Sequence, residues 1–174
     1  MAGSLVLIDS TTASDDSTIT LGTTDWDSSY NVYMVTLESV APATDAAYLR
    51  MRFTKTTDNS VDDSSNYDRA TKELRADTTY GDSATQNQNG FNFIENGTGT
   101  SETHNNIFYL FNFNDSSEYS FATFEEVSAM YDGTLRGRTG GGVLTVAQAT
   151  NGVNFFYSSG NIASGEFKLY GLKK

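Results

Sequence analysis

Cysteine is absent from the 174 residues, so neither a disulfide framework nor a thiolate metal site can hold the fold. Stability must come from packing, which oligomerisation can supplement. Proline, tryptophan and histidine occur once each, as Pro42, Trp26 and His104. A nucleophilic triad or a zinc site would therefore depend on a single imidazole. Basic residues are also scarce, 11 against 22 acidic ones, giving a net charge of −11. Neutralising phosphates requires a basic surface, which argues against a direct nucleic-acid partner. An acidic surface instead keeps a protein soluble and limits unwanted association. No apolar run approaches the ~20 residues that a membrane-spanning helix needs. The opening Ser4-Leu5-Val6-Leu7-Ile8 is too short, and lacks the basic flank, for a signal-peptide core. The length suits one domain, 1–174, with a real core. The expectation is a mature chain folded in a cytoplasm, with no membrane partner.

Ten Tyr and eleven Phe stand among abundant Thr, Ser, Asn, Asp and Gly, a mixture that favours strands and turns. Strand-like runs recur at short intervals: Ser4 to Asp9, Ser17 to Leu21, Tyr30 to Val40 and Ala46 to Lys55. The clearest alternation sets Ala47, Leu49, Met51 and Phe53 against Tyr48, Arg50 and Arg52. With the turn at Pro42 to Asp45, this segment and Tyr30 to Val40 read as an antiparallel hairpin. Asn66 to Leu74 is compatible with a strand or a short helix. Thr78 to Asn89 has almost no apolar residue and reads as a mobile or partner-ordered loop. Phe91 to Ile94 resumes the sheet. Ile107, Tyr109, Phe111 and Phe113 then alternate with Phe108, Leu110 and Asn112, apolar on both faces, as expected for the middle of the core. Tyr119 to Val127 follows, then a turn at Asp132-Gly133 and a flexible glycine-rich connection from Gly137 to Gly142. Val143 to Gln148 and Val153 to Tyr157 read as a hairpin joined at Thr150-Asn151-Gly152. The closing strand places Phe167 and Leu169 on one face and Lys168 and Tyr170 on the other. Roughly nine to eleven strands predict an all-β, antiparallel sandwich of jelly-roll type.

Chemistry is thinly signalled. His104, in Ser101 to Asn106, reads as a surface histidine of a polar loop. Glu125, Glu126 and Glu166 lie on expected strands and are the carboxylates a sugar-cleaving enzyme would need, but neighbours on a strand face opposite ways. Glu125 and Glu126 are read as rim and edge charges. Asp58, Asp62 and Asp63, like Asp15-Asp16 and Asp25/Asp27, lack the EF-hand pattern and read as solvated acidic loops, with no metal or cofactor assigned. Arg138-Thr139-Gly140-Gly141-Gly142 lacks the Gly-Lys-Ser/Thr of a phosphate loop. Asn96-Gly97-Thr98 and Asn114-Asp115-Ser116 fit the glycosylation acceptor pattern, but without a signal peptide they read most simply as turns. The outward set Tyr48, Arg50 and Arg52 combines residue types enriched at protein interfaces and is the candidate interface.

Three segments carry a likeness to known proteins. They are Leu5 to Ser14 with Ser17 to Leu21, then Tyr30 to Val35 running through Val40 to Asp45 to Leu49–Phe53, and finally Ser159 to Gly165 with Leu169-Tyr170-Gly171-Leu172-Lys173. In these the chain resembles β-rich virion structural proteins of marine tailed bacteriophages, including cyanophages; Thr56 to Thr150 has no match. The resemblance implies a non-enzymatic accessory protein located in the virion. The expected role is capsid decoration, as a homotrimer on the head exterior that binds the major capsid protein or another virion protein. A tail-fibre or receptor-binding subunit that recognises host glycans is the alternative, although the strand-like start at Ser4 is read as leaving no room for a shaft. A capsule-sugar-degrading enzyme is the third possibility.

Overall fold

The computed structural model describes residues 4–173, so Lys174 of the closing segment lies outside the described residues. It contains twelve strands: β1 (Ser4–Asp16), β2 (Ile19–Gly22), β3 (Val32–Pro42), β4 (Ala47–Lys55), β5 (Tyr67–Arg75), β6 (Tyr80–Gln88), β7 (Phe91–Asn96), β8 (His104–Phe111), β9 (Ser120–Ala129), β10 (Leu135–Leu144), β11 (Thr150–Tyr157) and β12 (Ile162–Lys173). A single 3-10 turn, Thr23–Asp25, follows β2. One sheet has eight strands in the order β1-β12-β3-β8-β9-β10-β5-β6, the other four in the order β2-β11-β4-β7, and every pairing is antiparallel. The pairs are nested: β1 with β12, β2 with β11, β3 with β8, β4 with β7, and β5 with β6 innermost. The expectation of an all-β antiparallel sandwich holds, with one strand beyond the expected range.

Period-two alternation puts one side chain of each pair between the sheets. Ala47, Leu49, Met51 and Phe53 of β4 are fully buried, as are Tyr33, Val35 and Leu37 of β3 and Phe167 and Leu169 of β12. Aromatic rings fill the space. Phe53 meets Phe113 at 4.7 Å between centroids, Tyr67 meets Phe91 edge-on at 5.1 Å, and Phe93 meets Phe124 edge-on at 5.2 Å. Such pairs add about 0.5–1.5 kcal/mol each beyond the area they bury.

Several sequence expectations are corrected. Tyr30 to Val40 and Ala46 to Lys55 do not form a hairpin, because β3 and β4 belong to different sheets and the turn between them crosses the sandwich. The acidic loop expected at Asp15-Asp16 is instead the end of β1, whose second half from Ser10 pairs along β12 beyond a bulge at Leu7/Asp9. Thr78 to Asn89 is largely β6, an edge strand, where solvent on both sides removes the need for apolar residues. The undecided Asn66 to Leu74 is strand β5. Thr150-Asn151-Gly152 is not a turn but the start of β11. There Asn151 is held by Thr54, and a Cβ on Gly152 would press on the Leu21 carbonyl. Val143 to Gln148 is a strand only to Leu144.

The glycine-rich Gly137 to Gly142 is not a flexible connection but the heart of β10, held between β9 and β5. A Cβ on Gly142 would overlap the Phe91 ring, and one on Gly140 would overlap the Ala70 carbonyl, so the missing side chains allow close approach. Gly137, by contrast, has nothing closer than the Glu126 carbonyl at 3.8 Å. Gly142→Ala is expected to cost roughly 1–3 kcal/mol by overpacking. In thermal melts this should lower Tm by about 2–4 °C per kcal/mol, whereas Gly137→Ala should leave Tm unchanged or slightly raised. Equal effects of the two substitutions would contradict the packing account.

Candidate functional site

The inner face of the eight-stranded sheet meets the four-stranded sheet; its outer face has no such cover. On β8 and β9 the alternation leaves Ile107 and Tyr109, and Phe121 and Val127, exposed while Phe108, Leu110, Ala122 and Phe124 are buried. The apolar "second face" of β8 is therefore an outward surface, not more core. Leu5 and Leu7 of β1, Leu74 of β5, Leu135 of β10 and Tyr80 of β6, the last 76% exposed, lie on the same sheet.

Strand register organises these residues into rows. One row runs Leu7, Tyr170, Met34, Tyr109, Thr123, Gly141, Ala70, Ala84, one residue from each of the eight strands, without a charge. Beside it lie Val32, Phe111, Phe121 and Val143. Further along the strands come Asn105, Val127, Gly137, Leu74 and Tyr80. Between them runs a row containing Lys168, Thr36, Ile107, Glu125, Thr139, Lys72 and Asp82, whose lysines are paired, Lys168 with Glu38 and Glu166, and Lys72 with Asp82. The relief is uneven. A depression of about 630 Å³ opens over the small residues Ala70, Ala84 and Gly141, and its lining includes Phe121 and Val143 as well as the charged Asp68 and Arg69. The apolar rows are thus divided by a row of paired charges, and their exposed large side chains form the candidate contact surface of this sheet.

Tyr48, Arg50 and Arg52 share the outer face of the four-stranded sheet, as the alternation on β4 requires. The two guanidinium groups lie over the Phe156 ring, 5.2 and 4.5 Å from its centre. Arg50 also donates to Asn92 and Asn89, and Arg52 to the Asn89 carbonyl. Both arginines are therefore held against their own sheet, and Tyr48 is the most exposed of the three.

The acidic loops hold themselves: Asp58 accepts from Ser60, and Asp62 from Ser64 and Gln148. No group of three or more metal-ligating side chains occurs among the described residues.

His104 is not a surface residue. It opens β8 and is fully buried, with its Nδ1 3.9 Å from Glu126 Oε2. Glu126 is buried too and is no rim charge, whereas Glu125, its neighbour, faces out. Glu126 Oε2 accepts from the Ile94 amide at 3.2 Å and from Asn106 at 3.3 Å, and Arg138 lies 3.4 Å from its other oxygen. Burial nevertheless pushes the Glu126 carboxyl up to about 7, against the pull of Arg138. Burial drives the His104 imidazole down to about 3, so at neutral pH it is uncharged and its contact with Glu126 is not an ion pair. The only sequence signal for this pair was a charged residue at an inward position of β9's alternation.

No family model matches the chain, and no curated protein matches it either.

Glu126 gives a pH test. Its folded value lies above the ordinary 4.5, so the folded state binds the extra proton, and stability is lost as pH rises from about 4.5 to about 7. His104 acts oppositely, losing stability as pH falls below its ordinary 6.5. Glu126→Gln isolates the first effect. Relative to the variant, the parent should lose stability between pH 5 and pH 8 in denaturant titrations; a difference independent of pH would show that Glu126 does not titrate with a raised value.

Proposed function

We propose that this chain is a non-enzymatic structural subunit of a tailed-phage particle, a capsid decoration protein that self-associates through the outer face of its eight-stranded sheet. The observation that carries the self-association is the charge-free row across all eight strands, from Leu7 to Ala84, and the placement in a phage particle rests on the sequence resemblance alone. In a chain of net charge −11, a face of this composition is one that a neighbour covers.

Two further observations support it. The segments that resemble phage virion proteins fall on β1, β2, β3, β4 and β12, and β1 pairs with β12 along nearly its whole length. The likeness thus describes the frame of the sandwich, and the unmatched middle supplies β5 to β10. The nested pairing of β1/β12, β2/β11, β3/β8 and β4/β7 supports a reading as a long hairpin rolled into two sheets, the jelly-roll plan expected from the sequence and found in viral capsid and lectin domains.

The row differs at its two ends. Bulky Leu7, Tyr170, Met34 and Tyr109 occupy one half and small Thr123, Gly141, Ala70 and Ala84 the other. Unlike halves let the bulky end of one chain meet the small end of another, in a two-fold pair or in a heterologous contact that can close into the expected homotrimer. Glu125 and Glu126 face opposite sides of the sheet and form no flanking carboxylate pair, which counts against sugar cleavage.

Sedimentation should show an oligomer that Tyr109→Glu converts to monomers with unchanged circular dichroism, a weakening of association of at least tenfold. A monomeric parent, or an oligomer indifferent to Tyr109→Glu, would refute the assembly face. Labelled protein on intact particles, imaged by electron microscopy, should lie in regular clusters over the head. Label confined to the tail tip would replace decoration with host recognition and direct attention to glycans.

A further inference from the structure

Four of the chain's six arginines, Arg69, Arg75, Arg136 and Arg138, converge on the inner side of β5 and β10. Glu73 receives three of them: Arg75 at 2.5 Å, Arg136 at 3.1 Å and Arg138 at 2.6 Å. Arg69 has no carboxylate within ion-pair distance among the described residues, although it is only 7% exposed. Its guanidinium donates to the hydroxyls of Thr71 and Ser83, at 3.2 Å each. The Nε groups of Arg69, Arg136 and Arg138 are buried without a hydrogen-bond acceptor. A buried cation that lacks a counter-charge is costly, and a guanidinium fork is built for oxyanions.

A cavity of about 240 Å³ opens at this cluster, lined by Arg75, Arg136, Arg138, Ser83 and Glu73, with Tyr48 and Glu95 of the opposite sheet at its wall. Arg69 stands behind the lining, where its guanidinium donates to the Ser83 hydroxyl. Asp82 also borders the cavity, but its carboxylate pairs with Lys72 at 2.7 Å. Among the lining residues, three arginines, Arg75, Arg136 and Arg138, therefore face two carboxylates not paired with a lysine, Glu73 and Glu95.

We infer that this cavity is a binding site for an oxyanion, the phosphate or carboxylate group of a small ligand, which supplies the acceptor that the buried Nε groups of Arg136 and Arg138 lack. The site goes beyond the assembly role and does not depend on the outer face being an interface.

Isothermal titration of the intact protein with inorganic phosphate, and separately with acetate, at ionic strength held constant with chloride, tests it. At least one of the two should bind saturably, one per chain, with phosphate the tighter if a tetrahedral group is favoured and acetate if a planar one is. Arg136→Gln removes a cation that is partly solvent-accessible, so the fold should survive, as circular dichroism can verify, while affinity falls at least tenfold. Heat-melting data alone would not serve, because phosphate raises Tm by exclusion from any protein surface. Absence of saturable binding of both anions would overturn the inference, as would equal affinity in parent and variant.

Discussion

A sheet has two faces, and in this molecule the chain covers only one of them. The eight-stranded sheet turns its inner face to the four-stranded sheet and closes an aromatic core around Phe53, Phe113, Tyr67 and Phe91. Its outer face keeps the same alternation with apolar residues at the outward positions. Period two makes the two faces independent choices: Phe108 and Phe124 serve the core, and Tyr109 and Phe121 are free to serve something else. Folding alone does not require exposed aromatics on β8 and β9. Their presence is explained when the sheet has a partner on each side, its own second sheet on one and a neighbouring chain on the other.

The inner face changes character along its length. Beneath the small sheet it is hydrocarbon; toward β5 and β10 it becomes a network of Glu73, Glu126 and four arginines. Buried ion pairs seldom stabilise more than a hydrocarbon core of equal volume would. The value of such a network lies elsewhere, in fixing register or in presenting charge to a ligand. The glycines of β10 make the arrangement possible, since Gly140 and Gly142 let β10 press close to Ala70 and Phe91 between the charged side chains.

Much of the frame was legible because it is written in local alternation. Ala47 to Phe53 and Phe167 to Leu169 read correctly, since each needs only its own period-two pattern. Sheet membership was not legible: β3 and β4 look like a hairpin locally, and only pairing with distant β8, β12, β7 and β11 separates them. The polar β6 and the glycine-rich β10 carry weak strand signals because one is an edge and the other trades side chains for close packing. For the same reason His104 and Glu126 were misplaced. Their neighbours in sequence are polar, and burial comes from strands far along the chain. The outward apolar face was seen in Ile107 and Tyr109 but assigned to the core, because alternation shows that two faces are apolar and not which of them is covered. Tyr48, Arg50 and Arg52 were correctly placed on one outward face, yet Phe156, Asn89 and Asn92 that engage the arginines are invisible to local reading.

The most direct measurement is oxidative footprinting of tyrosines in the protein at assembling concentration and after dilution to monomers, read by mass spectrometry. Tyr109 and Tyr80, on the outer face of the eight-stranded sheet, should lose reactivity on assembly, while Tyr48, on the opposite sheet, should keep it. Protection of Tyr48 with Tyr109 left reactive would contradict the account and move the interface to the four-stranded sheet.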